Sequence, residues 1–160
     1  MTVNYYQEQE KKTVFTAVNQ LVANLGVLFV KLHQYHWYVQ GPHFFTLHEK
    51  FEELYDETTE SLDLFAERLI AIGEKPYSTL AEFIEHASIQ EKPYDEKMSA
   101  EEMVRETIAD YETIKELTKR GVELAGEAED AVTEDLLIAY IENLDLTLWM
   151  LRAFLGEAIN

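Results

Sequence analysis

Apolar residues recur every three or four positions along most of this chain, the period of helices that each turn one face to a core. Val14, Val18, Leu21, Leu25, Leu28 and Leu32 set the rhythm of a first helix from about Gln7 to about Trp37, after which Gly41-Pro42 breaks the chain. A second helix is predicted to begin after Thr46, because Thr46-Leu47-His48-Glu49 has the form of a capping box. It runs to about Ile72 and stops at Gly73, with Pro76 beyond. The connection from Glu74 to Lys97 is long, and Thr79-Leu80-Ala81-Glu82 marks a short helix inside it. Another capping box, Ser99-Ala100-Glu101-Glu102, opens a third long helix that ends near Gly121 or Gly126, and a fourth covers about Thr133 to Leu155. No segment alternates apolar and polar residues convincingly, so the expected class is all-α. The expected architecture is one domain over residues 1–160, a four-helix bundle with a short extra helix in the long crossover between its second and third members.

A length of 160 residues, 47% of them apolar, suffices for one sizeable core, and only 6 Gly and 3 Pro interrupt it. Met1 to Lys12 is polar and mixed in charge, unlike a signal peptide, and no apolar run approaches the roughly 20 residues that span a bilayer. A soluble, cytoplasmic protein with no membrane partner is expected. The absence of Cys excludes disulfides and thiolate metal sites. Against 13 basic residues stand 31 acidic ones, a net charge of −18. Most of that acid serves as a solvated surface; its placement decides whether some of it attracts cations.

On a wheel of roughly 100° per residue with His48 at zero, Leu47, Phe51, Leu54, Tyr55, Leu62, Phe65, Leu69 and Ile72 fall in an arc from about 240° to 340°, the core stripe of the second helix. A separate arc from about 0° to 140° holds His48, Glu52, Asp63, Asp56, Glu49, Glu67, Glu60 and Glu53. A solvated acidic face is the plain reading, yet such a face repels itself, since like charges one turn apart destabilise a helix. A hairpin through Gly41-Pro42 can bring His36, at the end of the first helix, to His48, and Glu52 lies one turn past His48 on the same wall. Asp63 and Glu67 are a second pair one turn apart. Imidazole with carboxylate suits ferrous iron, and also zinc or manganese. Glu52 and Asp63 stand about 16 Å apart along the axis, too far for one cation within one chain. Antiparallel pairing of this helix with its own copy, about a two-fold axis near Glu57 and Thr58, would set His48 and Glu52 of one subunit against Asp63 and Glu67 of the other. Two equivalent sites would result, roughly 22 Å apart.

The stretch from His36 to Glu52, HWYVQGPHFFTLHEKFE, continued by Leu54-Tyr55-Asp56-Glu57 and by Asp63-Leu64-Phe65-Ala66-Glu67-Arg68, resembles the signature of the Dps family, the mini-ferritins. The likeness extends along the chain to Trp149-Met150-Leu151-Arg152-Ala153-Phe154-Leu155-Gly156. The resemblance implies a ferritin-like bundle, a hollow homododecamer, and ferroxidase centres at its two-fold interfaces. There, ferrous iron would be oxidised by hydrogen peroxide and stored as ferric oxide, which protects against oxidative damage. Carried over residue by residue, His36, His48 and Glu52 would come from one subunit and Asp63 and Glu67 from the other, with Glu52 standing where the family commonly has Asp. Trp37 resembles the family's tryptophan beside the iron, a donor of electrons during oxidation. The resemblance further implies that acid around the turn between the last two helices, Glu127, Glu129, Asp130, Glu134 and Asp135, lines a pore that draws in ferrous ions, Asp135 foremost. Acid placed at a helix N-terminus for its dipole is the alternative there. Glu53, Glu57 and Glu60 are candidates to line the cavity and nucleate mineral.

Two other readings compete. A larger ferritin with its iron centre inside each bundle needs Glu-x-x-His motifs on core-facing positions, and no His here lies three residues after a Glu. A DNA-binding shell that protects the nucleoid needs Lys and Arg to displace counterions from phosphates. The N-terminus sets Glu8 and Glu10 against Lys11 and Lys12, and the net charge opposes a polyanion, so direct DNA binding is not expected. His33, one turn before His36, has no counterpart in the family signature, and His43 and His86 read as surface or loop residues.

Overall fold

The structure, a computed structural model, describes the backbone of residues 5–158 and the side chains of residues 13–158. Among them are five helices and no strand: α1 Tyr5–Tyr38, α2 Phe44–Ala71, α3 Leu80–His86, α4 Ala100–Glu127 and α5 Ala131–Phe154. The all-α bundle with a short helix in its crossover is therefore the observed fold. α1 packs against α2, α3 and α4, and α4 against α5. Phe65 of α2 meets Tyr140 of α5 edge-on at 5.3 Å and completes the ring of four long helices. The N-terminal charges that bear on DNA binding, Glu8, Glu10, Lys11 and Lys12, have side chains outside the described residues.

The apolar rhythm of α1 is the centre of the core. Val14, Val18, Leu21, Leu25, Leu28 and Leu32 are all buried, with Leu47, Phe51, Leu54, Phe65 and Leu69 of α2 packed into the same cluster. Contrary to the reading of apolar runs, Thr13–Tyr38 is long and apolar enough to cross a bilayer by composition. In the fold that apolarity is spent on the core, because α1 is covered by α2, α3 and α4. Its one Lys or Arg, Lys31, also points inward, 2.6 Å from the Asp110 carboxylate of α4, both side chains about nine-tenths buried.

Two helix ends differ from prediction. α2 starts at Phe44, with His43 as an N-cap that makes no side-chain cap hydrogen bond, so Thr46 already lies inside the helix and its capping box does not form. Gly41, at φ 112°, turns the chain in a conformation L residues rarely adopt, and the Phe44 N–H donates to the Gly41 carbonyl at 3.1 Å, so the helix springs directly from the turn. α4 runs through both glycines expected to end it. Gly121 is there for close packing, since a Cβ would stand 3.0 Å from Leu137 of α5. The second capping box forms as read: Ser99 accepts from the Glu102 N–H, and the Glu102 carboxylate accepts from the Ser99 N–H.

Amide side chains of α1 strap the crossover along the bundle. Asn19 accepts from the Tyr77 N–H, buried Asn24 accepts from the N–H groups of Ser88 and Ile89, and Gln34 donates to the Lys92 carbonyl. These bonds satisfy loop backbone that would otherwise lie unpaired against a helix. α3 is pressed so close that a Cβ at Gly26 would fall 2.3 Å from the Phe83 ring. Gly26→Ala is expected to cost about 1–3 kcal/mol through overpacking, and Phe83→Leu in that background to recover part of it, both read as thermal midpoints.

Candidate functional site

The α1–α2 turn brings His36 and His48 into contact. Their rings stack with centroids 3.7 Å apart and planes inclined by 14°. Each imidazole is tied to the backbone of the other: His36 Nδ1 donates to the His48 carbonyl at 2.6 Å, and His48 Nδ1 donates to the His36 carbonyl at 2.8 Å. A carbonyl oxygen can only accept, so the proton of each ring sits on Nδ1 and each Nε2 keeps a free lone pair. The reciprocal bonds fix tautomer and orientation before any ligand arrives, the service that an outer partner gives a metal-binding histidine. His36 is buried and His48 half-buried, with Phe44 stacked on the outer face of His48 at 5.0 Å.

Ring geometry limits what the pair can hold. The lone pair of an imidazole nitrogen lies in its ring plane, so two nearly parallel rings 3.7 Å apart aim along lines that do not converge on one point. The pair suits two adjacent cations, or one cation and a water beside it, better than a single shared ion.

The expected carboxylates stand apart from this pair. Among the described residues no group of three or more His, Asp or Glu side chains converges to hold an ion. Glu52 is exposed, and its carboxylate lies beside the Tyr55 hydroxyl rather than closing on the imidazoles. Asp63 and Glu67 lie farther along α2, both exposed, and neither has a salt bridge or side-chain hydrogen bond among the described residues.

A second layer of rings surrounds the histidines. Tyr55, read from the wheel as core, is half-buried at the α1–α2 seam, stacked on His33 at 3.7 Å and edge-on to His36 at 5.3 Å. His33 Nδ1 donates to the Phe29 carbonyl at 2.6 Å, which locks its tautomer as in His36 and His48. The His33 ring is 5.4 Å from that of Trp37, which is 67% exposed. Trp149 is exposed as well, so neither tryptophan is a core residue. The sequence signal for Tyr55 was ambiguous, because an aromatic at the edge of a core stripe fits either a core or a seam.

At the far end of α2, Asp130 is built into the fold. Its Oδ1 accepts from the Thr133 N–H and from Arg68 of α2, each at 3.1 Å, and its Oδ2 accepts from the Thr133 hydroxyl at 2.6 Å. Burial alone would raise this carboxyl, but the Thr133 hydrogen bonds and the Arg68 guanidinium outweigh it and hold Asp130 below the usual carboxylate range. The helix-cap alternative describes what its oxygens do within the chain. Glu127 and Asp135, on either side of the turn, are exposed. Glu57 is half-buried, and burial raises its carboxyl.

Comparison with known proteins adds the following. The ferritin-like domain family matches residues 15–159. DNA protection during starvation protein 2 of Bacillus anthracis is 49% identical over 146 residues, which is 91% of this chain and 99% of that protein. The X-ray structure of Dps from Listeria monocytogenes matches with a TM-score of 0.89 at 44% identity, over 91% of this chain and 94% of that one. A Listeria innocua Dps crystal structure in which two histidines have been changed to glycine matches with a TM-score of 0.89 at 43% identity, over 91% of this chain and 95% of that one. The two altered histidines are 12 positions apart, the separation of His36 and His48.

Proposed function

This chain belongs to the ferritin-like family and, within it, to the Dps proteins; on that premise we propose that it is a cytoplasmic iron-storage ferroxidase. As a single domain assembled into a hollow homododecamer, it takes up ferrous iron, oxidises it with hydrogen peroxide and keeps the ferric oxide inside, which limits oxidative damage. The observation that carries this reading is the locked pair of His36 and His48, two neutral imidazoles held with free Nε2 atoms before a cation arrives. Their non-converging lone pairs support two ferrous ions side by side, and two ferrous ions supply the two electrons that one peroxide takes.

Imidazoles do not favour the ferric product over the ferrous; carboxylates do, through their charge. Glu52 of the same subunit, with Asp63 and Glu67 of a second subunit, supplies that charge. The unpartnered state of Asp63 and Glu67, on a face that repels itself in isolation, supports antiparallel pairing of α2 across a two-fold axis. Trp37 serves as an electron donor at the edge of the site. Asp135 and Glu127 form a negative entry for ferrous ions, with Asp130 holding the start of α5 in place behind them. Zinc and manganese compete for the same donor set. The relatives' name speaks of DNA protection; for this chain we infer protection by removal of iron and peroxide, since a charge of −18 leaves few cations to displace counterions from a duplex.

Anaerobic titration with Co(II), followed by its d–d absorption, is expected to saturate at about two cations per subunit, and ferrous iron at that ratio to consume about one peroxide per two irons. Saturation at one cation, or no consumption of peroxide, overturns the reading.

A further inference from the structure

Two oxidisable rings, Tyr55 and Trp37, are joined to the His36 side of the site by a continuous run of ring contacts. From the site outward, Tyr55 stands edge-on to His36 at 5.3 Å and 86°, stacks on His33 at 3.7 Å and 15°, and His33 lies 5.4 Å from Trp37. Both imidazoles in the run are fixed by Nδ1 donation to backbone carbonyls at 2.6 Å. Core packing accounts for Phe51 and Phe65, which are fully buried, but not for a run whose middle members are half-buried and whose end, Trp37, stands in solvent. Among the described ring contacts Trp37 meets His33 and neither site histidine. Tyr55 is the redox-active ring that touches one.

We propose that Tyr55 is the electron donor that completes peroxide reduction when a site holds a single ferrous ion, and that His33 carries the contact onward to Trp37. This rests on the ferroxidase reading. Peroxide takes two electrons and one ferrous ion yields one, so cleavage of the O–O bond without a second donor releases hydroxyl radical. In the step proposed, the O–O bond breaks, iron gives one electron and becomes ferric, and Tyr55 gives one electron and its phenolic proton. The two oxygens leave as hydroxide and water: Fe2+ + H2O2 + TyrOH → Fe3+ + OH− + H2O + TyrO•. The Glu52 carboxylate beside the phenol offers the departing proton a path. Trp37 then gives an electron and its indole proton to the tyrosyl, which regenerates Tyr55 and leaves the radical on an exposed ring that reductants in solution can reach.

The test uses the assembled protein loaded anaerobically with one ferrous ion per subunit, mixed with one equivalent of hydrogen peroxide and freeze-quenched for electron paramagnetic resonance. Ring-deuterated tyrosine identifies the tyrosyl signal. In the wild type a tyrosyl radical is expected first, followed by a tryptophanyl radical. Tyr55→Phe, which keeps the ring and its stacking, is expected to lower the tyrosyl signal at least fivefold and to raise hydroxyl-radical spin-trap adducts severalfold. His33→Leu is expected to keep the tyrosyl signal and to lower the tryptophanyl signal severalfold. An unchanged tyrosyl signal in Tyr55→Phe, in protein that consumes peroxide normally, overturns this inference alone. Failure of the wild type to consume peroxide with ferrous iron overturns the ferroxidase reading and this step with it.

Discussion

Subunits carrying His36→Ala with His48→Ala are expected to lose ferrous oxidation, subunits carrying Asp63→Asn with Glu67→Gln are expected to lose it too, and co-assembly of the two inactive forms is expected to restore about a quarter of the wild-type rate. The loss in each parent should exceed the roughly 10–100-fold that changes to outer partners of a metal site cause, because direct ligands are removed. Recovery follows from symmetry. Random pairing makes about half of the two-fold interfaces mixed, and each mixed interface holds one site with every ligand native and one with none. Stopped-flow absorbance of the ferric product, after co-refolding the two variants in equal amounts, measures it. A site formed within one chain predicts no recovery, since neither subunit would hold a complete set. Full activity in the Asp63→Asn, Glu67→Gln parent would show that the locked histidines need no carboxylate from elsewhere. Melting curves of both parents separate ligand loss from unfolding, which matters for the histidine variant because two backbone carbonyls lose their Nδ1 donors.

Much of the fold was legible because burial on one helix face leaves a one-dimensional record. Val14 through Leu32 on α1 and Leu47 through Leu69 on α2 needed only the helical period to be read. The errors fell where three-dimensional contact overrides local signals. Thr46 had a capping-box pattern, but the Gly41 turn set the start of α2 upstream of it. Gly121 looked like a stop and is instead a space for Leu137. At the site, the meeting of His36 and His48 followed from the hairpin, whereas their mutual carbonyl bonds depend on backbone atoms that no side-chain pattern encodes. Asp130 carried its own clue, a Thr three residues on, and the surrounding acid obscured it. The crossover's path was readable only as a length; Asn19, Asn24 and Gln34, which hold it, look like ordinary helix residues until the loop backbone they satisfy is in place.

Lys31→Met is expected to lower stability by about 3–5 kcal/mol, more than any core truncation by a single methylene, because it leaves Asp110 charged and buried without its cation. The Lys31 ammonium is 2.6 Å from Asp110 Oδ2, and that oxygen has no other hydrogen-bond partner among the described residues. At about 2–4 °C per kcal/mol for a chain of this size, the thermal midpoint should fall by roughly 10 °C. The double variant Lys31→Met, Asp110→Leu is expected to recover most or all of it, since replacing a buried ion pair with apolar side chains of similar volume is often neutral or stabilising. The pH dependence gives the sign. Burial raises the Asp110 carboxyl, the Lys31 ammonium only partly opposes this, and Glu106 raises it further. A carboxyl raised in the fold contributes stability that is full below its unfolded value of about 4 and is lost as pH rises through the folded value. Removing Lys31 raises Asp110 further and widens that window upward. Acidification from about pH 7 to about pH 5 should therefore narrow the gap between Lys31→Met and wild type, and leave the double variant's difference from wild type far less changed. A Lys31→Met protein that melts with the wild type at neutral pH would mean that Asp110 reaches water or another donor, and that α1 and α4 do not depend on this pair.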